Sequence, residues 1–180
     1  MNPVLCLAGL EGLHWITWGV LSKYLGRNRK IMKGVSPRAE IDAIIEKEGK
    51  GNQEMSDFLV RVKSCLQNSR EAMLHWGLCT IVCMTVGVDK TVMEYASLFM
   101  FLCRCGYVYS YLNASKRGLL VGLRIFCYHV PTTFLPFYLY YLGALKYTMA
   151  TGLMKDLPMN YLYAAPFPVA LAFMIANSFM

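Results

Sequence analysis

Four apolar stretches constrain this chain more than any other feature: about Pro3 to Leu25, Met73 to Val88 behind a polar lead-in, Thr91 to Asn113, and Leu119 to Leu142. Each comes near the ~20 residues that an α-helix needs to cross a hydrocarbon core of roughly 30 Å. Composition agrees, because 56% of the 180 residues are hydrophobic and only 16% charged, more apolar surface than one soluble core of this length hides. The sequence predicts an all-α, membrane-embedded, antiparallel four-helix bundle in residues 1–145, followed by an apolar C-terminal extension in residues 146–180. Within that extension Tyr161 to Met180, interrupted by Pro166 and Pro168, is a candidate fifth short span.

The first span has no basic stretch before it and carries Glu11, His14 and Trp18 where a cleavable signal would be plainly apolar, which predicts that it is retained. One long polar connection, Gly26 to Ser56, contains "SPRAEIDAIIEKEG". There Ser36 suits a cap, Pro37 a first helical turn, and Ile41, Ile44 and Ile45 one narrow apolar edge, so a short amphipathic helix is expected on the membrane or on a partner. The later connections, "GVDK" and "NASKRG", are tight enough to make antiparallel neighbours.

Charge sets the orientation. The long loop holds Arg27, Arg29, Lys30, Lys33 and Arg38, and Lys116 and Arg117 fall on the same side, whereas the other side offers little beyond Lys90 and Lys146. The basic side should face the compartment of synthesis, and the net charge of +7 is explained by this asymmetry, with anionic lipid headgroups as its partner. Nothing resembles a nucleic-acid domain. Seven cysteines, at 6, 65, 79, 83, 103, 105 and 127, form no Cys-x-x-Cys pair. They read as buried free thiols, and no metal site is expected. Asn113 opens a glycosylation triplet whose place in a tight loop on the basic side argues against use.

The approach to the second span is polar on one side. Arg61, Ser64, Asn68, Glu71 and His75 recur at intervals of three and four, the spacing that keeps residues on one helical face. Ionisable groups at membrane depth turn toward a partner or a wet cavity. Arg104 in the third span, followed on its face by Tyr107 and Tyr111, is the expected partner of Glu71, with Glu11 as the rival acid. The spacing allows two readings: the polar groups fix the register of the bundle, or Asn68, Glu71 and the tyrosines line a site for a polar ligand.

The segment "RVKSCLQNSRE", with Arg61 seven residues before an Asn-x-x-Glu, followed after one short loop by "LFMFLCRCGYVYSYLNASKR", resembles a known superfamily. It is that of the membrane-associated proteins in eicosanoid and glutathione metabolism, which includes microsomal glutathione transferases, the leukotriene C synthase and the microsomal prostaglandin E synthase. The resemblance covers about residues 10 to 142. It implies a four-helix bundle, a homotrimer, and glutathione held between subunits near the basic side. By that resemblance Asn68 and Glu71 match the polar pair on the second helix, Arg104 the arginine of the third, and Tyr111 the tyrosine one heptad later. Arg27 or Arg29 stands for the arginine that ends the first helix.

Departures fall at the cationic positions. Gln67 stands where the enzymes place an arginine before the asparagine, Ser64 and Leu66 replace further basic residues, and Leu120, then Val121, occupies the position whose cation supports the thiolate. A thiol with a pKa near ~8.5 needs such a cation to ionise at neutral pH. Arg124, one turn further on, and Tyr107 are the residues left to assist a thiolate.

Two functions follow. The first is a non-catalytic accessory or scaffold subunit, attached to other membrane subunits through the extension "GLMKDLPMNYLYAAPFPVALAFMIANSFM". Its host would be a respiratory complex of the inner mitochondrial membrane or an assembly of the endoplasmic reticulum, the superfamily's usual home. The second is a glutathione-dependent transferase or peroxidase acting on lipophilic electrophiles, and a lipid-binding relative is a further alternative.

Overall fold

The computed structural model describes residues 1–26, 37–113 and 118–151, and among them every regular element is helical. The elements are α1 (Pro3–Gly26), α2 (Pro37–Gly51), α3 (Gln53–Val86), α4 (Lys90–Asn113), α5 (Gly118–His129), a π-helical turn (Val130–Phe134) and α6 (Leu135–Ala150). Arg27, Arg29, the Ser36 cap, the loop lysine and arginine at 116 and 117, and the candidate fifth span lie outside the described residues.

Local chemistry sets the boundaries. Asn52 caps α3, its side-chain oxygen accepting the Met55 N–H at 3.1 Å, so the helix starts well before its apolar part and runs 34 residues. Its end is a Schellman turn: Gly87, at φ 75°, donates to Met84 O at 3.2 Å, and Val88 donates to Cys83 O at 2.8 Å. Only glycine takes that backbone without strain. Asp89 then opens α4 by accepting the N–H groups of Thr91 (2.8 Å) and Val92 (3.2 Å). The Val92 and Thr91 bonds hold its carboxyl below the usual carboxylate range.

The expected fourth span, Leu119 to Leu142, is longer and less regular than the sequence suggests. Gly118–Ala150 is one apolar run of 33 residues, widened by the π turn in which Leu135 donates to Val130 O. Pro131 and Pro136 have no N–H to give, and the i to i+5 turn accommodates the gap.

Two of the described helical runs, Pro3–Lys23 and Gly118–Ala150, are long and apolar enough to cross a membrane. α3 and α4, expected as spans, fall short of that measure. Arg70, Glu71 and His75 interrupt the first, and Glu94, Arg104 and the tyrosines dilute the second.

Packing joins α1 to α3 and α4, α3 to α4 and α6, and α4 to α5. One core brings Cys6, Leu10, Trp76, Cys79, Met93, Met100 and Leu139 together, and Gly9 lets α1 approach Phe101 so closely that a Cβ would sit 2.7 Å from the ring. Arg70 Nε donates to His14 Nε2 at 3.4 Å across α1 and α3. All seven cysteines are free thiols, and all but Cys105 are buried.

α2 forms as its sequence pattern predicts and settles on the chain's own helices. Ile41, Ile44 and Ile45 are buried against Leu21, Leu59, Val62 and Leu66, Ser56 Oγ donates to Ile45 O at 3.2 Å, and Lys63 pairs with Asp42. The apolar edge is therefore consumed within the chain.

Candidate functional site

Around its middle the buried face of α3 carries small side chains, Cys65, Ser69 and Ala72, and beside them α4 brings a large cation inside. Arg104 is only 1% exposed. Its Nη2 donates to Ser69 Oγ at 3.0 Å, and its Cζ stands 4.1 Å from the centre of the Tyr107 ring. Ser69 Oγ in turn donates to Cys65 O at 2.7 Å. Nη1 has no hydrogen-bond partner among the described residues.

The expected pair of Glu71 with Arg104 does not form. Glu71 is exposed and accepts a bond from Gln67 Nε2 at 3.1 Å, and neither it nor Glu11 belongs to an ion pair among the described residues. Helical geometry explains the miss. Ser69 faces α4, and at ~100° per residue Glu71 points nearly the opposite way. The whole polar stripe is rotated out of the core: Arg61, Ser64 and Asn68 are half-buried, while Glu71 and His75 are exposed.

Asn68 is the stripe residue that reaches a neighbouring helix. Its Nδ2 donates to Tyr107 Oη at 2.6 Å. Tyr107 packs against Tyr111, with ring centres 4.7 Å apart, and against Tyr128 of α5 at 5.5 Å. Arg124 lies over the Tyr111 ring at 4.8 Å. Together these groups border an open cavity of about 150 Å³ lined by Asn68, Tyr107, Tyr111, Arg124, Ile125, Tyr128 and His129. Tyr128 also borders a second, larger groove of about 390 Å³, formed by His75, Leu78, Thr132, Thr133, Pro136, Phe137 and Tyr140.

Of the residues singled out in the sequence, Asn68, Tyr107, Tyr111 and Arg124 meet at this cavity. Arg104 stands behind Tyr107 and does not line it, and Glu71 lies outside its lining. Ser69, Tyr128 and His129 are additions that sequence reasoning missed. Tyr128 had a signal, since it follows Arg124 by four residues on one helical face. Ser69 had none, because a serine in an apolar helix carries no mark of its partner. Among the described residues no group of three or more His, Cys, Asp or Glu is arranged to hold a metal ion. Compared with protein-family models, with curated proteins and with solved structures, the chain matches none.

Proposed function

We propose that this chain is an integral membrane protein built as an antiparallel four-helix bundle, related to the superfamily that it resembles, and acting as a non-catalytic accessory subunit of a larger membrane complex. Support for the bundle comes from cross-helix contacts. Leu7 lies beside Gly77 and His14 beside Arg70, so α1 and α3 run oppositely. Asn68 with Tyr107 and Ser69 with Arg104 give the same relation for α3 with α4, and Tyr111 with Arg124 and Tyr107 with Tyr128 give it for α4 with α5. Support for the membrane comes from what faces outward. Only 11% of the best window in Gly118–Ala150 is buried, and Leu5, Ile16, Ile81, Leu102, Phe126 and Phe137 are all exposed. Apolar surface of that extent calls for lipid or for other subunits.

One observation carries the non-catalytic reading: three polar groups that the resemblance assigns to glutathione are engaged by other side chains of this chain. Asn68 is tied to Tyr107, Arg104 to Ser69 and Tyr107, and Glu71 to Gln67. A glutathione ligand would compete with these contacts without the cations missing at Gln67 and Leu120.

The glutathione-dependent enzyme is kept as a second reading because Asn68, Tyr107, Tyr111 and Arg124 do converge on one cavity. Extraction of the chain from its native membrane in mild detergent separates the two. A fixed stoichiometric place in a large complex, an inner-mitochondrial respiratory complex or one of the endoplasmic reticulum, is the expected result, and a trimer of this chain alone would reverse the order.

A further inference from the structure

We propose that the cavity between α3, α4 and α5 is a phosphate-binding site, with Arg124 as its charge anchor and the phosphate group of a membrane lipid as its leading source. Several donors at this cavity are unspent. Arg124 stacks on Tyr111, yet it donates no hydrogen bond and joins no ion pair among the described residues. The Tyr128 hydroxyl and the His129 ring likewise have no hydrogen-bond partner there, and both border the same cavity. Among the described residues no acid lines the cavity. Glu71, close enough for its charge to act on Tyr128, is exposed and accepts a hydrogen bond from Gln67.

Depth and size then narrow the ligand. Arg124 lies six residues into a helix that starts at Gly118, about 9 Å along its axis at 1.5 Å per residue. An unpaired guanidinium at that depth finds an anion or reaches for the headgroup layer. An open cavity of about 150 Å³ has room for a group as small as phosphate. Donors arriving from α5 and from the tyrosines of α4 suit an anion with several acceptor oxygens, and the guanidinium fork takes two of them at once. The larger groove continues from Tyr128 along Leu78, Pro136, Phe137 and Tyr140, an apolar path for an acyl chain below the head.

The lipid source rests on the membrane reading above, and the two can fail separately. Alkaline carbonate extraction tests the membrane reading alone. The site is tested on the purified full chain in non-ionic detergent by calorimetric titration with dihexanoyl phosphatidic acid, with dihexanoylglycerol and with inorganic phosphate. The phosphatidic acid is expected to bind at least tenfold more tightly than the phosphate-free lipid. Arg124→Gln should weaken that binding ten- to a hundredfold, the range of one charge-assisted hydrogen bond, and Arg124→Lys by less. Tyr128→Phe keeps the ring packing and removes one donor, so a loss of about two- to tenfold is expected from a variant that folds like the parent. Inorganic phosphate binding as tightly as the lipid, with the same dependence on Arg124, would support the site and make its source soluble. Equal binding of the two lipids, or affinity unchanged in both Arg124→Gln and Tyr128→Phe, would overturn it.

Discussion

Replacing Ser69 by alanine isolates the feature on which the interior of this bundle turns. Ser69 Oγ is the acceptor, at 3.0 Å, for a guanidinium that is 1% exposed and has no carboxylate beside it. A hydrogen bond to a charged group contributes about 1.5–3 kcal/mol, and its removal leaves a second guanidinium nitrogen without a partner. Ser69→Ala should therefore destabilise by about 1.5–3 kcal/mol, or roughly 3–12 °C at 2–4 °C per kcal/mol. Arg104→Met should behave differently. It forfeits a desolvated cation–π contact worth ~2 kcal/mol, but it also removes a burial cost of several kcal/mol for the lone ion, so stability should stay level or rise. The assay is thermal unfolding in one detergent, followed by near-ultraviolet circular dichroism. Glu71→Gln is the control and should lie within ~0.5 kcal/mol of the parent. A Glu71→Gln loss as large as that of Ser69→Ala, with coupling to Arg104 above ~1 kcal/mol in a double-mutant cycle, would refute this placement of the charge.

Three further outcomes follow from local geometry. Gly87→Ala forces a side chain onto a backbone at φ 75° and should cost about 1–2 kcal/mol, read from the same melting curves. Asp89 has a lowered folded pKa, so its stabilisation is complete above the unfolded carboxyl value of ~3.9 and is lost as pH falls through the folded one. The melting difference between the parent and Asp89→Ala should shrink on acidification, and a constant gap would contradict the cap. Ile44→Ala empties a site that is 1% exposed and should cost about 2–5 kcal/mol locally, seen as faster proteolysis within α2 while the other helices stay protected.

Much of the helical order is readable in the residues, because α2 carries its isoleucines in a polar segment and the long apolar stretches have tight links. The buried face of α3 is not readable in the same way. Leu74, Leu78 and Ile81 are exposed while Cys65, Ser69 and Ala72 are buried, so hydropathy points outward as strongly as inward and periodicity loses its meaning. The spacing of Asn68 and Glu71 therefore points their stripe inward, while the interior belongs to the neighbouring Ser69. Asn68, Tyr107, Tyr111 and Arg124 could be gathered from the resemblance, whereas Tyr128 and His129 join them through the approach of α5 to α4, which no local pattern encodes.

The central claim, that this bundle has given up glutathione chemistry, is tested most directly by titrating the purified chain with glutathione. Binding is read by heat and by the ultraviolet absorbance of the thiolate, and the titration is repeated on a Gln67→Arg plus Leu120→Arg variant. Two lost charge-assisted contacts at roughly 1.5–3 kcal/mol each weaken binding by about two to four orders of magnitude. The account predicts no thiolate signal and no binding below the millimolar range in the natural sequence, with affinity rising in the variant. Micromolar binding with a thiolate signal in the natural sequence would contradict it and make Arg124 the supporting cation.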